Sequence, residues 1–213
     1  MLYKIYSAIA YFISRNLFKI GLLVFFKYRV TGRENIPKKG PFIMASNHVS
    51  YMDPPAIGAA SRKRLYFISS EHLCKNRLLA FWYKSVGCLI IKREESDHSM
   101  MKKILHYLKE GKPIAIFPEG TRSEDGAIKE PLSGAGFIAL KSQAPVIPCF
   151  VKGTEKALPR GAKAFKKSGV TVYVGSPIDP KDFKFEGKKK DSYRLFSKKI
   201  MNCIAQIGKR YGD

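Results

Sequence analysis

The 213-residue chain carries 39 Lys and Arg residues against 17 Asp and Glu residues, a formal net charge of +22 at pH 7. Its 45% hydrophobic and 12% aromatic content excludes a disordered chain and is sufficient for the core of one domain. The charge predicts an anionic partner, which could be a nucleic acid, a membrane surface or an acidic substrate. Cys74, Cys88, Cys149 and Cys203 show no C-x-x-C spacing, which favours a reducing compartment over a disulfide framework.

Residues 1–30 are predicted to form a helical segment that precedes a domain at residues 31–213. The segment is rich in Ile, Leu, Phe and Tyr and contains cations but no acid. Its longest uncharged run, Ile5 to Ser14, is about half of the roughly 20 residues that a spanning helix needs. We therefore expect one or two amphipathic helices lying in an anionic membrane interface, on the cytoplasmic face, in a monotopic protein without a spanning helix. A helix packed on the domain is the alternative.

The rest of the chain alternates strand patterns with helix patterns. Strands are predicted at 42–45, 65–69, 87–92, 113–117, 146–151 and 170–174. Helices are predicted at 54–61, 73–86, 96–110, 133–143 and 191–211. This alternation predicts an α/β fold, a single domain with a largely parallel, mixed sheet flanked by helices. In such a domain the carboxyl ends of the strands carry the site.

A polar stretch from Ser46 to Asp53 lies between the first of these strands and the helix that follows. Ser50 and Asp53 fit a capping box, which predicts Ser50 as the N-cap and Asp53 at the third helical position. His48 precedes the cap by two residues, so the start of the helix allows its imidazole to meet the Asp53 carboxylate. A carboxylate that accepts the Nδ1–H group leaves Nε2 as a general base. The alternative is a loop histidine beside an ordinary aspartate at a helix start.

His48 and Asp53 are two of the three members of a hydrolase triad, and no protein nucleophile accompanies them. A substrate hydroxyl is therefore predicted to take the place of the serine. The chain has no G-x-S-x-G elbow, no P-loop and no G-x-G-x-x-G pattern. The other histidines lack the spacing of metal ligands, so we predict no metal site and no cofactor.

A second polar segment, Phe117-Pro118-Glu119-Gly120-Thr121-Arg122-Ser123, follows directly on the strand predicted at 113–117. Arg122 offers a planar guanidinium suited to phosphate or carboxylate. Glu119 could hold this guanidinium or contact a substrate hydroxyl. A surface turn with a salt bridge is the alternative.

A second basic group is the pair Lys92-Arg93, at the end of the strand predicted at 87–92. If this strand and the strand at 113–117 are parallel neighbours, Arg93 and Arg122 emerge on the same sheet edge as His48. One base and two guanidinium groups would suit an alcohol that bears a phosphate.

Four segments in order give the chain a resemblance to a known family. Asn47 to Asp53 resembles the first signature of the glycerolipid acyltransferases, of the 1-acylglycerol-3-phosphate acyltransferase type. Phe117 to Ser123 is similar to the third signature throughout. Gly87 to Arg93 resembles the second, with Lys92 where an acidic residue is common, and Val146 to Pro148 resembles the fourth. The resemblance covers residues 47–148 and leaves out both ends of the chain.

The resemblance implies that a fatty acyl chain passes from acyl-CoA or acyl carrier protein to the sn-2 hydroxyl of a lysophospholipid acceptor, lysophosphatidic acid. His48 would act as general base and Asp53 would orient it. Substrate binding would fall to the two arginines and to the turn that holds the second of them, namely Arg93, Glu119, Gly120, Thr121 and Arg122.

Two alternatives remain open from the sequence. An acyltransferase of the same family could use glycerol 3-phosphate or another lysolipid as its acceptor. A nucleic-acid-binding protein would also account for the charge, although it would leave the four segments without a role and the chain has no RNA-binding or zinc-finger pattern. Nucleic acid is therefore not a predicted partner.

Overall fold

A seven-stranded sheet forms the centre of the protein in the computed structural model, which describes residues 2–70, 76–91, 97–162 and 164–211. The strands are β1 (Arg29–Thr31), β2 (Ile43–Ser46), β3 (Tyr66–Ser70), β4 (Cys88–Ile91), β5 (Ile114–Ile116), β6 (Val146–Lys152) and β7 (Thr171–Val174). Their order across the sheet is β1-β7-β6-β2-β5-β3-β4. Every neighbouring pair is parallel except β6 and β7, which are antiparallel. The prediction of a largely parallel, mixed sheet is confirmed.

Helices cover both faces of the sheet. They are α1 (Leu2–Phe26), α2 (Asp53–Ala60), α3 (Arg77–Ser85), α4 (Asp97–Lys109), α5 (Gly134–Ser142), α6 (Thr154–Ala157) and α7 (Lys189–Tyr211). Short 3₁₀ turns occur at Arg33–Asn35 and Pro180–Asp182. The short elements β1 and α6 were not predicted, because three or four residues give no measurable periodicity.

The central strand β2 shows how the sequence produces the two-sided core. Phe42 and Met44 point into a cluster shared with α1 and α2, whereas Ile43 and Ala45 point into a cluster shared with α4, α5 and α7. All four side chains are fully buried. A strand covered on both faces reads as a continuous apolar run, which is why this segment shows no polar alternation.

The N-terminal segment is one helix of 25 residues rather than two short ones. Tyr11, Leu22 and Phe26 are buried against the domain, and the Tyr11 hydroxyl accepts the Leu65 N–H at 3.1 Å. The Arg15 guanidinium donates to the carbonyl of Ser61 at 3.3 Å, so this cation faces the domain and not the outer surface.

By length and composition alone, Ile5–Phe26 could cross a membrane. The longest uncharged run underestimates the apolar length of this helix. Arg15 interrupts that run in the sequence, but it lies on the inner face of the helix and leaves the outer face apolar. The same helix also packs on α2 and α3, as the alternative prediction had it. Strand β1 begins at Arg29, just before the domain boundary predicted at residue 30, which stays a prediction.

Candidate active site

His48 and Asp53 meet at the carboxyl end of β2. The Nδ1 atom of His48 lies 2.8 Å from Oδ2 of Asp53, whose side chain is fully buried. The same oxygen accepts the backbone N–H groups of Val49 at 2.7 Å and Ser50 at 2.8 Å. Oδ1 accepts the hydroxyl of Thr154 at 2.6 Å. An ionised carboxylate can accept all four donors, which together compensate its removal from water.

The helix that carries Asp53 begins later than the capping box predicts. Asp53 is the first helical residue rather than the third, and Met52 rather than Ser50 stands at the N-cap. Proline residues occupy the start of the helix, and their fixed φ favours this point as the first turn. Ser50 instead closes a turn before the helix, where its Oγ accepts the Met52 N–H at 3.2 Å. The Ser50 N–H nevertheless donates to Oδ2 of Asp53, so the carboxylate turns back toward the loop as a capping box requires.

The loop after β5 holds the His48 loop from the other side. The ring of His48 stacks on Phe117 with 4.0 Å between centroids and 18° between planes. Oε1 of Glu119 accepts the His48 N–H at 2.8 Å, and Oε2 accepts the Lys129 N–H at 3.1 Å. The Ser123 N–H returns a bond to the His48 carbonyl at 2.7 Å. Burial raises the pKa of Glu119, while the two backbone donors act in the opposite direction.

Glu119 therefore binds backbone groups and not the Arg122 guanidinium, and no ion pair joins the two among the described residues. Arg122 instead stacks on Tyr51, with its Cζ atom 3.5 Å from the ring centroid. Gly120 adopts a φ of +72°, and a Cβ there would lie 2.5 Å from a methyl group of Leu132. A glycine at this position is what lets the turn bring Arg122 to the His48 loop.

Two of the predicted substrate-binding residues, Thr121 and Arg93, are not placed against the His48 loop by any described contact. Thr121 is exposed, and its hydroxyl donates to the Arg122 carbonyl at 3.1 Å. Arg93 lies outside the described residues. The neighbouring strands on which its predicted position beside Arg122 depended are not found, because β3 lies between β4 and β5. The strands are parallel but not neighbours.

Sequence reasoning gave no individual role to two side chains that support the His48 loop. Asn47 pairs with the backbone of Val151 on β6, donating at 3.0 Å and accepting at 2.8 Å. Its position directly after a buried strand was an available signal. Thr154 had none, since it lies 101 residues beyond Asp53 and starts the short helix α6.

An apolar groove of about 1070 Å³ opens beside the site. One wall is the second half of α1, with Leu17, Phe18 and Phe25 among its residues. Tyr51 and Met52 of the His48 loop form part of another wall. Because Arg122 stacks on Tyr51, the groove places a guanidinium at the edge of an apolar channel.

A family model described as Acyltransferase matches residues 27–152. The chain belongs to the acyltransferase family. The family resemblance read from the four signatures is therefore confirmed, and the match includes every predicted site residue of this acyltransferase chain.

Named relatives agree with the family. The chain is 29% identical over 170 residues to the 1-acyl-sn-glycerol-3-phosphate acyltransferase of Bacillus subtilis, covering 79% of this chain and 82% of the relative. It is 30% identical over 172 residues to a chloroplastic 1-acyl-sn-glycerol-3-phosphate acyltransferase of Arabidopsis thaliana, covering 79% of this chain. The chain spans about half the length of that relative and of a second chloroplastic relative from Brassica napus, 48% and 50% respectively.

A solved structure shares the fold. The crystal structure of the 1-acyl-sn-glycerophosphate (LPA) acyltransferase PlsC from Thermotoga maritima superposes with a TM-score of 0.77 at 26% identity. The match covers 94% of this chain and 79% of that one. The α/β architecture with an N-terminal helix is thus an acyltransferase fold.

The buried carboxylate of Glu119 gives the first testable prediction. Because burial raises its pKa above the ordinary value of 4.5, the folded chain binds more protons than the unfolded chain between these two pKa values. The contribution of Glu119 to the free energy of unfolding therefore falls as the pH rises through that window. In Glu119→Gln this component is absent, so its stability should fall less steeply from about pH 4.5 upward than that of the wild type.

Turnover of Glu119→Gln should also fall, because an amide offers one acceptor oxygen to two N–H groups and the His48 loop loses a tether. Denaturant unfolding at a series of pH values measures the first effect and a turnover assay the second. Glu130→Gln, an exposed carboxylate, is the control. Parallel stability curves for wild type and Glu119→Gln would contradict the prediction.

Proposed function

We propose that the chain transfers a fatty acyl group from a thioester to the sn-2 hydroxyl of 1-acylglycerol 3-phosphate, giving phosphatidic acid. The observation that carries the proposal is the His48–Asp53 pair, whose hydrogen bond through Nδ1 leaves Nε2 as the base. An apolar groove beside it suits a lipid substrate. The relatives from Bacillus subtilis and Thermotoga maritima, which are named as acyltransferases of this acceptor, support the same proposal.

The proposed reaction is a direct transfer. Nε2 of His48 takes the hydroxyl proton as the oxygen attacks the thioester carbonyl carbon, and Asp53 stabilises the imidazolium that forms. The carbon–sulfur bond then breaks, and the imidazolium returns the proton to the leaving thiolate. The step requires no acyl-enzyme and no cofactor. Burial raises the pKa of the Cys149 thiol, which suits a core residue rather than a nucleophile.

The loop contacts support the role of His48 as a fixed base. Its backbone is held at both ends, by the Glu119 carboxylate and by the Ser123 N–H. Its ring is held by Phe117 on one face and by Asp53 at Nδ1. A base whose position is fixed before the substrate arrives lowers the entropy lost on reaching the transition state.

Arg122 is the proposed anchor for the acceptor's phosphate. Its guanidinium stacks on Tyr51 at the edge of the groove, and its N–H groups have no hydrogen-bond partner among the described residues. A guanidinium so held can bind phosphate in bidentate fashion. We propose that Arg93 assists and that Gly120 and Thr121 shape the turn. The acyl donor is proposed to be acyl-CoA or acyl carrier protein.

The outer face of α1 is the proposed membrane contact. Large apolar side chains are exposed along it, including Ile9, Ile13 and Ile20. Hydrogen bonds and buried rings hold the other face on the domain, which favours a helix lying in the interface over one that leaves the domain to span the bilayer. Attachment on the cytoplasmic face fits the free thiols of Cys88 and Cys149.

Removing the proposed base should abolish most of the activity. We expect His48→Ala to lower kcat about 10²- to 10⁴-fold, and Asp53→Asn to be similarly severe through the wrong imidazole tautomer. Purified variants are assayed with lysophosphatidic acid and acyl-CoA, with circular dichroism as the check on folding. His106→Ala, which removes an exposed histidine of α4, should behave as the wild type. Retention of more than about a tenth of the turnover by folded His48→Ala would refute the mechanism.

Arg122 should affect the acceptor more than the donor. Arg122→Ala is expected to raise the KM for lysophosphatidic acid about tenfold or more, the loss of one charge-assisted phosphate contact. Arg122→Lys should recover only part of this, because an ammonium lacks the bidentate geometry. Steady-state kinetics on both substrates separate the effects, with the exposed Arg210→Ala as control. An unchanged KM for lysophosphatidic acid in Arg122→Ala would refute the phosphate-binding role. Parallel assays of the wild type with glycerol 3-phosphate test which acceptor it uses.

Substitutions on the outer face of α1 should release the protein from lipid without unfolding it. Ile13→Gln with Ile20→Gln is expected to weaken vesicle binding about tenfold or more, because two exposed apolar side chains no longer enter the bilayer. The loss should persist at high salt, which screens charge but not apolar burial. Vesicle co-sedimentation measures it, with the exposed Leu195→Gln of α7 as control. Wild-type binding by the double variant would place the membrane contact elsewhere.

A further inference from the structure

The segment that follows α6 carries an exposed aromatic ring at the end of α1. Phe165 is 66% exposed, although a phenylalanine in a loop usually buries its ring. It packs edge-to-face on Phe26, with 5.8 Å between centroids. The backbone beside it is fixed, since Lys166 donates to the Ala157 carbonyl and Val170 to the Phe26 carbonyl, both at 2.8 Å. Phe165 is therefore held outward by the structure around it.

Exposed cations adjoin this ring. Lys166 and Lys167 follow it directly, and Lys27 lies just beyond the end of α1. No ion pair involves any of the three within the described ranges. The nearby Arg160 differs, because it pairs with Glu124 at 2.7 Å. The segment therefore presents one aromatic ring and two lysines, and Lys27 adds a third positive charge at the end of α1.

We propose that Phe165, Lys166 and Lys167 form a second membrane-docking element, which binds an anionic bilayer together with the outer face of α1. Phe165 inserts among the acyl chains, and the two lysines bind lipid phosphates at the headgroup level. This inference rests on the proposed lipid-modifying function. It adds to that function a second fixed point, which determines how the protein is oriented on the membrane.

The orientation matters for the groove. Phe165, Lys166 and Lys167 line it together with the second half of α1. With both elements in the interface, the mouth of the groove opens on lipid rather than on water. A lysophospholipid could then enter without exposing its acyl chain, while its phosphate reaches Arg122 beside Tyr51.

An anionic bilayer fits this surface better than an acidic protein does. Phe165 continues the exposed apolar face of α1, on which Val24 and Phe25 are 67% and 68% exposed. A lipid interface accepts a broad apolar face bordered by lysines. An acidic carrier protein would match the lysines but leave most of the apolar face uncovered.

The test uses the full-length protein and vesicles of phosphatidylcholine, alone or mixed with phosphatidylglycerol. We expect Phe165→Ser to weaken binding to both kinds of vesicle about tenfold. Lys166→Gln with Lys167→Gln should weaken binding only to the anionic vesicles, about fivefold for each lysine. The matched controls lie on α7, on the opposite face of the sheet: Leu195→Ser, and Lys189→Gln with Lys190→Gln. These should bind as the wild type.

A tryptophan at position 165 keeps the ring and reports its depth. In Phe165→Trp, acyl chains labelled with bromine should quench fluorescence beyond the level of the parent protein, whose one tryptophan is Trp82. This measurement does not depend on whether Phe165→Ser folds. Thermal unfolding checks each variant.

The docking element is refuted if the added tryptophan is not quenched, or if the folded Phe165→Ser and double-lysine variants bind vesicles as the wild type does. Loss of binding to purified acyl carrier protein with unchanged vesicle binding would likewise overturn it in favour of a donor contact. Turnover on a soluble short-chain acceptor distinguishes this failure from that of the proposed function. The control variants on α7 should keep that turnover, whereas a wild type without it would refute the function itself.

Discussion

The buried carboxylate of Asp53 is the contact on which the site depends. It lies at the junction of three parts of the chain: the loop after β2, the start of α2 and the start of α6. Four donors converge on it, two from backbone, one from Thr154 and one from the imidazole of His48. Removal of such an acceptor would leave several buried donors without partners, each worth about 1–3 kcal/mol. The same group therefore closes the loop and orients the proposed base.

Glu119 performs the corresponding task from the neighbouring strand. Parallel pairing of β2 with β5 brings the loops that follow them together at one sheet edge. The Glu119 carboxylate then joins the backbone of His48 to that of Lys129. Burial raises the pKa of Glu119, which means that the ionised carboxylate is less stable there than in water. The two backbone N–H groups that it accepts offset part of this cost. The structure thus uses one buried carboxylate to orient a side chain and another to position a backbone.

The sequence was informative where the determinants are local. Continuous apolar runs located the central strands, and a five-residue interval that contains a helix start was enough to bring His48 to Asp53. Contacts that depend on how distant strands pair could not be predicted from the sequence. The partner of Asp53 at Thr154 depends on the pairing of β6 with β2, and the neighbour of β5 depends on the order of the strands. Neither leaves a periodic pattern.

Helix α1 was ambiguous for a physical reason. A helix that packs on its own domain and a helix that lies on a membrane both need apolar residues, and α1 needs them on both sides. The inner face was hidden in the sequence because polar groups such as Ser7 and Arg15 carry its hydrogen bonds to the domain. The cations that seemed to shorten the apolar run are, in the case of Arg15, part of the packed face.

The positive charge of the chain and the proposed catalytic pair occupy different parts of the site. His48 is fixed by neutral or anionic neighbours, namely Phe117, Asp53 and Glu119. Among the described residues, the cations of the site lie against other groups: Arg122 lies over Tyr51, and Lys166 and Lys167 line the groove. A lysine in direct contact would disfavour the imidazolium that the proposed reaction forms. In the proposed function, cations at the groove attract phosphate groups, while the carboxylate of Asp53 keeps the His48 ring oriented.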